Sequence, residues 1–233
     1  MEKIVLDACL YHVGPHKTAS TFIQKRILPL ISDEVSIYKH GDDSPKGKIC
    51  VQSNEGLLGE FDNVDFQYMY KIRKVNPNAF ILVVKRDIYS WSKSLHKFYV
   101  KKGGFLAYKK FCQQQNIIDR LNIDRTITAL EEIFPNRVIV VDFDQLINDP
   151  QATLDVICNV LNINTRTIIH TLKPARVSEN DFTTNVVRVF NRFPRLWFLR
   201  NCILKSYNIL RGMVSGNTVR KLIRITPERG NFG

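Results

Sequence analysis

The chain has no Cys-x-x-Cys pair, and its five cysteines, Cys9, Cys50, Cys112, Cys158 and Cys202, are odd in number and widely separated. That pattern argues against a disulfide framework and against a metal site, and settings such as "DVICNVL" suit reduced core thiols. Also missing is any run of about eighteen apolar residues, so no bilayer-spanning helix is expected. The opening Met-Glu-Lys-Ile-Val-Leu-Asp lacks the basic segment and small-residue cleavage site of a secretory leader, and the expected location is the cytoplasm. Acidic residues are in short supply. There are 22 against 34 basic ones, for a net charge of +12, and from Arg188 to Gly233 ten lysines and arginines face the single acidic Glu228. The surface therefore favours anionic partners.

What is present reads as one α/β domain over 1–233, since 233 residues with 44% hydrophobic content can fill a single sizeable core. Four apolar runs rich in β-branched residues predict strands: "CLYHV" at 9–13, "KICVQS" at 48–53, "AFILVVK" at 79–85 and "RVIVVDF" at 137–143. The two longest are nearly all apolar, as expected of strands covered on both faces. Helical stretches are expected at 18–30, at 64–75 and in segments of 105–133. Pro150 suits a first helical turn, with Asp149 as its cap. The alternation predicts a three-layer α/β domain with a central, mostly parallel sheet flanked by helices, binding its ligand at the carboxyl ends of the strands. The α/β core is expected over 9–163. A loop and a basic helical region fill 164–233.

The strand-to-helix junction "YHVGPHKTASTFIQ" at 11–24 places Gly14, Lys17 and a row of hydroxyls where a helix exposes unpaired N–H groups and the positive end of its dipole. Lys17 and Thr18 match the end of a Walker A loop, yet His16 stands where that loop has glycine, and Gly14 lies only three residues before the lysine. A shorter loop suits one 5′-phosphate carrying a different second group rather than a triphosphate.

These residues resemble the 5′-phosphosulfate loop of sulfotransferases that use 3′-phosphoadenosine-5′-phosphosulfate, in particular the bacterial carbohydrate-type branch with its H-x-G-x-H-K-T-G-T-T. Ala19 stands where that motif has its second glycine and Ser20 where it has threonine. "FILVVKRDIYSWSKSLHKF" resembles the same family's 3′-phosphate motif, an arginine ending a strand and a serine eight residues on, here Arg86 and Ser94, with Ile88 in place of the usual proline. An arginine presents a planar fork of donors to a phosphate, and the serine lies two helical turns along. "VQSNEGL" at 51–57 is similar to the family's S-x-E strand end, and "VIVVDFDQLINDPQATLDVICNVLNI" to its late strand and helix. "KPARVSEND" resembles a late loop over the nucleotide, which implies Lys173 and Arg176 at the 3′-phosphate.

The resemblance implies transfer of a sulfuryl group from the nucleotide donor to a hydroxyl of a sugar, glycan or glycolipid, with adenosine 3′,5′-bisphosphate as product and no metal. Gly14, Lys17, Thr18, Ala19, Ser20 and Thr21 would hold the 5′ end, and Arg86, Ser94 and Arg176 the 3′-phosphate. Lys17 would stabilise the charge growing on the leaving oxygen. Candidates for the general base are Glu55, His16 and His96, of which Glu55 is preferred because it sits just past a predicted strand. Two other readings compete. A P-loop kinase using ATP and Mg²⁺ would take Asp142 as its metal-holding acid. A non-enzymatic polyanion-binding module rests on the charge alone, and the strands are too apolar to present an interleaved basic and aromatic nucleic-acid face. In the C-terminal region Leu196, Leu199, Ile203, Tyr207, Leu210 and Val214 form a helical stripe among Arg200, Lys205 and Arg211. It is read either as core packing or as an interfacial helix on an anionic membrane.

Overall fold

The four apolar runs become parallel strands of one sheet, joined by a short strand that the sequence pattern did not mark. A computed structural model describes residues 9–38, 49–60, 63–114, 122–164, 167–168, 181–193, 199, 202–203 and 205–206. His170, Lys173, Arg176 and most of the 196–214 stripe lie outside them. In chain order the strands are β1 (Leu10–Val13), β2 (Ser36–Tyr38), β3 (Cys50–Ser53), β4 (Gly59–Glu60), β5 (Asn63–Val64), β6 (Phe80–Lys85) and β7 (Val138–Asp142). Five of them form an all-parallel sheet in the order β2-β3-β1-β6-β7, and β4 and β5 make a separate antiparallel pair. The pair explains why the helix expected from 64 begins only at Gln67, in α2 (Gln67–Val75).

Alternation along the strands divides the core into two layers. Leu10, Leu82, Val84 and Val141 face one side, packed with Ile23, Ile27, Leu28 and Ile31 and with Leu154, Ile157 and Cys158 of a helix over Pro150–Leu161. Tyr11, Val13, Ile81 and Val83 face the other, against Met69 and Ile72 of α2 and Leu130 and Ile133 of the helix Ile123–Ile133. Burying each such aliphatic side chain contributes roughly 1.5–3 kcal/mol before the cost of ordering it. Asp149 caps the helix at Pro150 through its side chain and the Ala152 N–H at 3.2 Å, as the sequence pattern anticipates.

The chain divides into two compact units, 1–96 with 108–178 and 97–107 with 179–233. The first holds the sheet. In the second, Lys97 pairs with Asp181 at 2.9 Å, and Asn191 donates to the carbonyls of Val100 and Gly104 at 2.7 and 2.8 Å. Among the described residues no helix is long and apolar enough to cross a membrane.

Candidate active site

The strand order reverses direction at β1, which has β3 on one side and β6 on the other, so the loops leaving these three strands share one crevice. The loop after β1 is held in an unusual backbone path. Gly14 has φ +149, Lys17 φ +72 and Ala19 φ +64, and no peptide bond in the loop is cis. For the two non-glycine residues the left-handed conformation costs on the order of 1 kcal/mol each, a strain of the kind that collects at ligand sites. Ala19 is the residue before the first helix, α1, which is α-helical over Ser20–Phe22, widens into a π turn over Ile23–Ile27 and tightens into a 3₁₀ turn over Leu28–Ile31. The predicted start at residue 18 is thus two residues early, because Thr18 belongs to the loop and its buried hydroxyl donates to the Pro15 carbonyl at 2.8 Å.

Two successive carbonyls of this loop are held by donors from the β6 end. The indole N–H of Trp91 donates to the His16 carbonyl at 2.8 Å, and Nη1 of Arg86 donates to the Lys17 carbonyl at 2.7 Å. Trp91 lies on α3 (Ile88–Lys101), whose first turn is capped by Asp87 through the Ser90 N–H at 2.9 Å. In a trans peptide the C=O and the following N–H point in opposite directions. Tethering these carbonyls to the α3 side therefore turns the Lys17 and Thr18 amides away from α3.

Arg86 is fixed on three sides: Nε donates to Ser90 Oγ at 3.1 Å, Nη1 to Lys17, and the guanidinium lies 4.0 Å from the ring centre of Phe143. Two of its five donors are committed among the described residues, which leaves a fork free for a further anion. Burial pushes its pKa down, and the Asp144 and Asp87 carboxylates oppose that. Ser94 is half-buried on α3, further along the same helix.

Glu55 stands in a 3₁₀ turn, Glu55–Leu58, directly after β3, and its carboxylate accepts a hydrogen bond from Nδ1 of His16. Burial pushes this carboxyl up. The hydrogen bond from His16, the pull of Ser20 and the charges of His16 and His12 outweigh it and hold the group below its usual value. Ser20 Oγ lies buried beside Glu55 but has no partner in hydrogen-bond geometry among the described residues.

Beneath this pair lies a buried polar cluster that sequence reasoning missed. His12 of β1 is 1% exposed and shares a 2.7 Å hydrogen bond between Nδ1 and Ser53 Oγ, while Gln24 donates to Ser53 Oγ at 3.1 Å and to its carbonyl at 3.2 Å. The Ser53 hydroxyl accepts from Gln24 and also meets His12 Nδ1, with the direction of that second bond set by which ring nitrogen of His12 carries the proton. Its Nε2 is buried without a partner among the described residues, and burial lowers the imidazole to about 4 against the opposing charge of Glu55.

The structure thus brings Gly14, His16, Lys17, Thr18, Ala19, Ser20, Glu55 and Arg86 to one crevice. His96 instead packs on α3 between Tyr108 and Phe111, with ring centres 5.6 and 5.3 Å away, the setting of a core histidine. Asp142 accepts from the Asp144 and Gln145 amides at 2.8 and 3.1 Å as the cap of the helix Phe143–Asn148. Trp91, Ser90 and Phe143 carried no spacing signal, because each reaches the site through tertiary packing.

Comparison with known proteins adds the family. The sequence model of the sulfotransferase family matches residues 48–167. No curated protein sequence matches the chain. Among solved structures, a sulfotransferase from Alicyclobacillus acidocaldarius is similar with a TM-score of 0.55 at 13% identity, covering 84% of this chain and 97% of that one. Mouse sulfotransferase SULT7A1, solved in complex with PAP, is similar with a TM-score of 0.51 at 12% identity, covering 71% of this chain and 61% of that one. At these identities the likeness is one of fold.

Proposed function

Because the chain belongs to the sulfotransferase family, we propose that it transfers a sulfuryl group from 3′-phosphoadenosine-5′-phosphosulfate to a hydroxyl of a sugar, glycan or glycolipid. The observation that carries the choice of donor is the bond between Arg86 and the Lys17 carbonyl. It joins two anion-binding segments, which suits a nucleotide phosphorylated at both its 5′ and 3′ ends. The residues fit such a ligand. Ser20 Oγ is a buried hydroxyl in want of a partner, the Lys17 and Thr18 amides face away from α3, and Arg86 has a free fork. Ser94 and, from the late loop, Arg176 complete the 3′-phosphate set in this reading, and Thr21 the 5′ set.

The chemistry asks little else of the protein. The acceptor oxygen attacks sulfur in line, its proton passes to Glu55, and the bond from sulfur to the bridging oxygen breaks to release adenosine 3′,5′-bisphosphate. Lys17 stabilises the charge left on that oxygen, and His16 orients Glu55 through its hydrogen bond. Positive charge comes from side chains, so no metal is required. The carbohydrate acceptor rests on the resemblance of 11–24 to the carbohydrate-type loop. One catalytic domain, a cytoplasmic location and membrane contact through 196–214 belong to the same reading. The membrane contact is supported by the exposure of Leu199 and Ile203.

Calorimetric titration tests the donor. Magnesium-independent binding of adenosine 3′,5′-bisphosphate, at least tenfold tighter than adenosine 5′-monophosphate, is expected. Preference for ATP with Mg²⁺ would hand the site to the kinase reading.

A further inference from the structure

We propose that Trp91 is a positioning residue for sulfuryl transfer, its indole N–H fixing the loop peptide between His16 and Lys17 so that one tether sets both the base and the leaving-group lysine. The inference rests on the donor reading above and goes beyond it in assigning a role to a residue outside the phosphate motifs.

The geometry supports a dedicated tether. Trp91 is 4% exposed, and its main-chain N–H is itself locked to the Asp87 carbonyl at 2.9 Å, so the indole projects from the anchored first turn of α3. Its acceptor, the His16 carbonyl, belongs to the residue whose ring holds Glu55 and to the peptide whose nitrogen is that of Lys17. Lys17 sits in a left-handed conformation that a lysine does not adopt unaided. Something must hold it there. The next carbonyl is held by Arg86, which a 3′-phosphate would engage, whereas the Trp91 bond uses no group that the nucleotide needs. Trp91 can therefore keep the loop set whether or not Arg86 has turned to a ligand.

The test replaces Trp91 with phenylalanine and, separately, with 3-benzothienylalanine, which keeps the bicyclic shape and removes only the N–H. Three quantities are read on the purified full chain: the affinity for adenosine 3′,5′-bisphosphate, the rate of bisphosphate release from the phosphosulfate donor with water as acceptor, and the ¹⁵N signals of the His16 ring. Both variants are expected to bind the bisphosphate within about threefold of wild type, to release it at least tenfold more slowly at saturating donor, and to show an acid limb of the pH–rate profile moved to higher pH. The His16 signals should move toward those of a free imidazole. If the benzothienyl variant keeps wild-type release and wild-type His16 signals, the tether has no positioning role and the proposal falls. Loss of affinity in step with loss of rate would mark Trp91 as packing only and would also overturn it. A wild-type protein that does not bind the bisphosphate would overturn the donor reading itself, and this inference with it.

Discussion

Arg86 and Lys17 are joined through a single hydrogen bond, Nη1 to main-chain carbonyl at 2.7 Å, so the end of β6 is tied to the backbone of the residue assigned to the leaving group. Arg86→Ala should weaken binding of adenosine 3′,5′-bisphosphate by about 10- to 100-fold, the worth of one or two charge-assisted hydrogen bonds. Arg86→Lys should recover little of it, because an ammonium cannot donate to Ser90, hold the Lys17 carbonyl, stack on Phe143 and still offer a fork. Calorimetry of both variants checks this. Equal affinity of the wild type for the nucleotide lacking the 3′-phosphate would remove Arg86 from the site.

The strained loop separates stability from chemistry. Ala19→Gly should leave turnover within a factor of a few and stabilise the fold by up to about 1 kcal/mol, since relief of the left-handed strain exceeds the added freedom of the unfolded chain. Lys17→Gly should relieve the same kind of strain yet lower turnover by roughly 10²- to 10³-fold, because the ammonium is lost. Thermal unfolding and donor turnover on the two variants decide it. A Lys17→Gly enzyme with normal turnover would end the catalytic assignment.

Glu55 should remain a base at pH values where a free carboxyl is half-protonated. Its folded pKa lies below the ordinary 4.5 because the hydrogen bond from His16, the nearby Ser20 hydroxyl and the neighbouring imidazoles outweigh burial. The sign follows directly. Its contribution to stability is full above about pH 4.5 and is lost as pH falls through the folded value. Glu55→Gln should abolish transfer to an acceptor and flatten the acid end of the stability curve. His16→Phe should raise the acid limb of the rate profile instead.

His12 contributes a second, separate pH dependence. Its imidazole is held at about 4 against 6.5 in the open chain, so the unfolded state takes up a proton first as the solution is acidified. Stability from this group is complete above pH 6.5 and declines as pH falls toward 4, by an amount on the order of 3 kcal/mol. Denaturant unfolding between pH 7 and 4 should show that slope in the wild type and a shallower one in His12→Gln. An identical slope in both would show that His12 does not titrate as its burial requires.

Much of the sheet was legible because a strand covered on both faces must be continuously apolar, as β6 is, whereas β7, expected to be covered likewise, lies at the sheet edge with Val140 41% exposed and was legible from its β-branched run alone. β2 was not, since its three residues, Ser36–Tyr38, are too few to show any period. The loop was legible from Gly14, Lys17 and Thr18, whose types answer to local backbone and charge requirements. What could not be read was where each hydroxyl and carbonyl finds its partner. The Thr18 hydroxyl donates to the Pro15 carbonyl, and Trp91 reaches His16 across 75 positions of sequence. Residue types near a helix start reveal that an anion site can form, but the braces that shape it come from elements whose approach only the folded packing determines.

The place of β1 in the sheet has a consequence for the order in which the molecule can assemble. Leu10 pairs with Val51 on one side and Phe80 on the other, so the earliest strand has no complete set of neighbours until β6 has been made. During synthesis the loop after β1 thus emerges long before the two braces that give it shape, and until they arrive its left-handed residues have nothing to hold them. Closure of such distant contacts is slow, and it leaves an apolar strand uncovered in the interval. Under the proposed function, a nucleotide bridging the loop, the turn after β3 and the end of β6 would meet its site only on the finished chain. It would act chiefly as a brake on unfolding, with little effect on how fast the fold is reached.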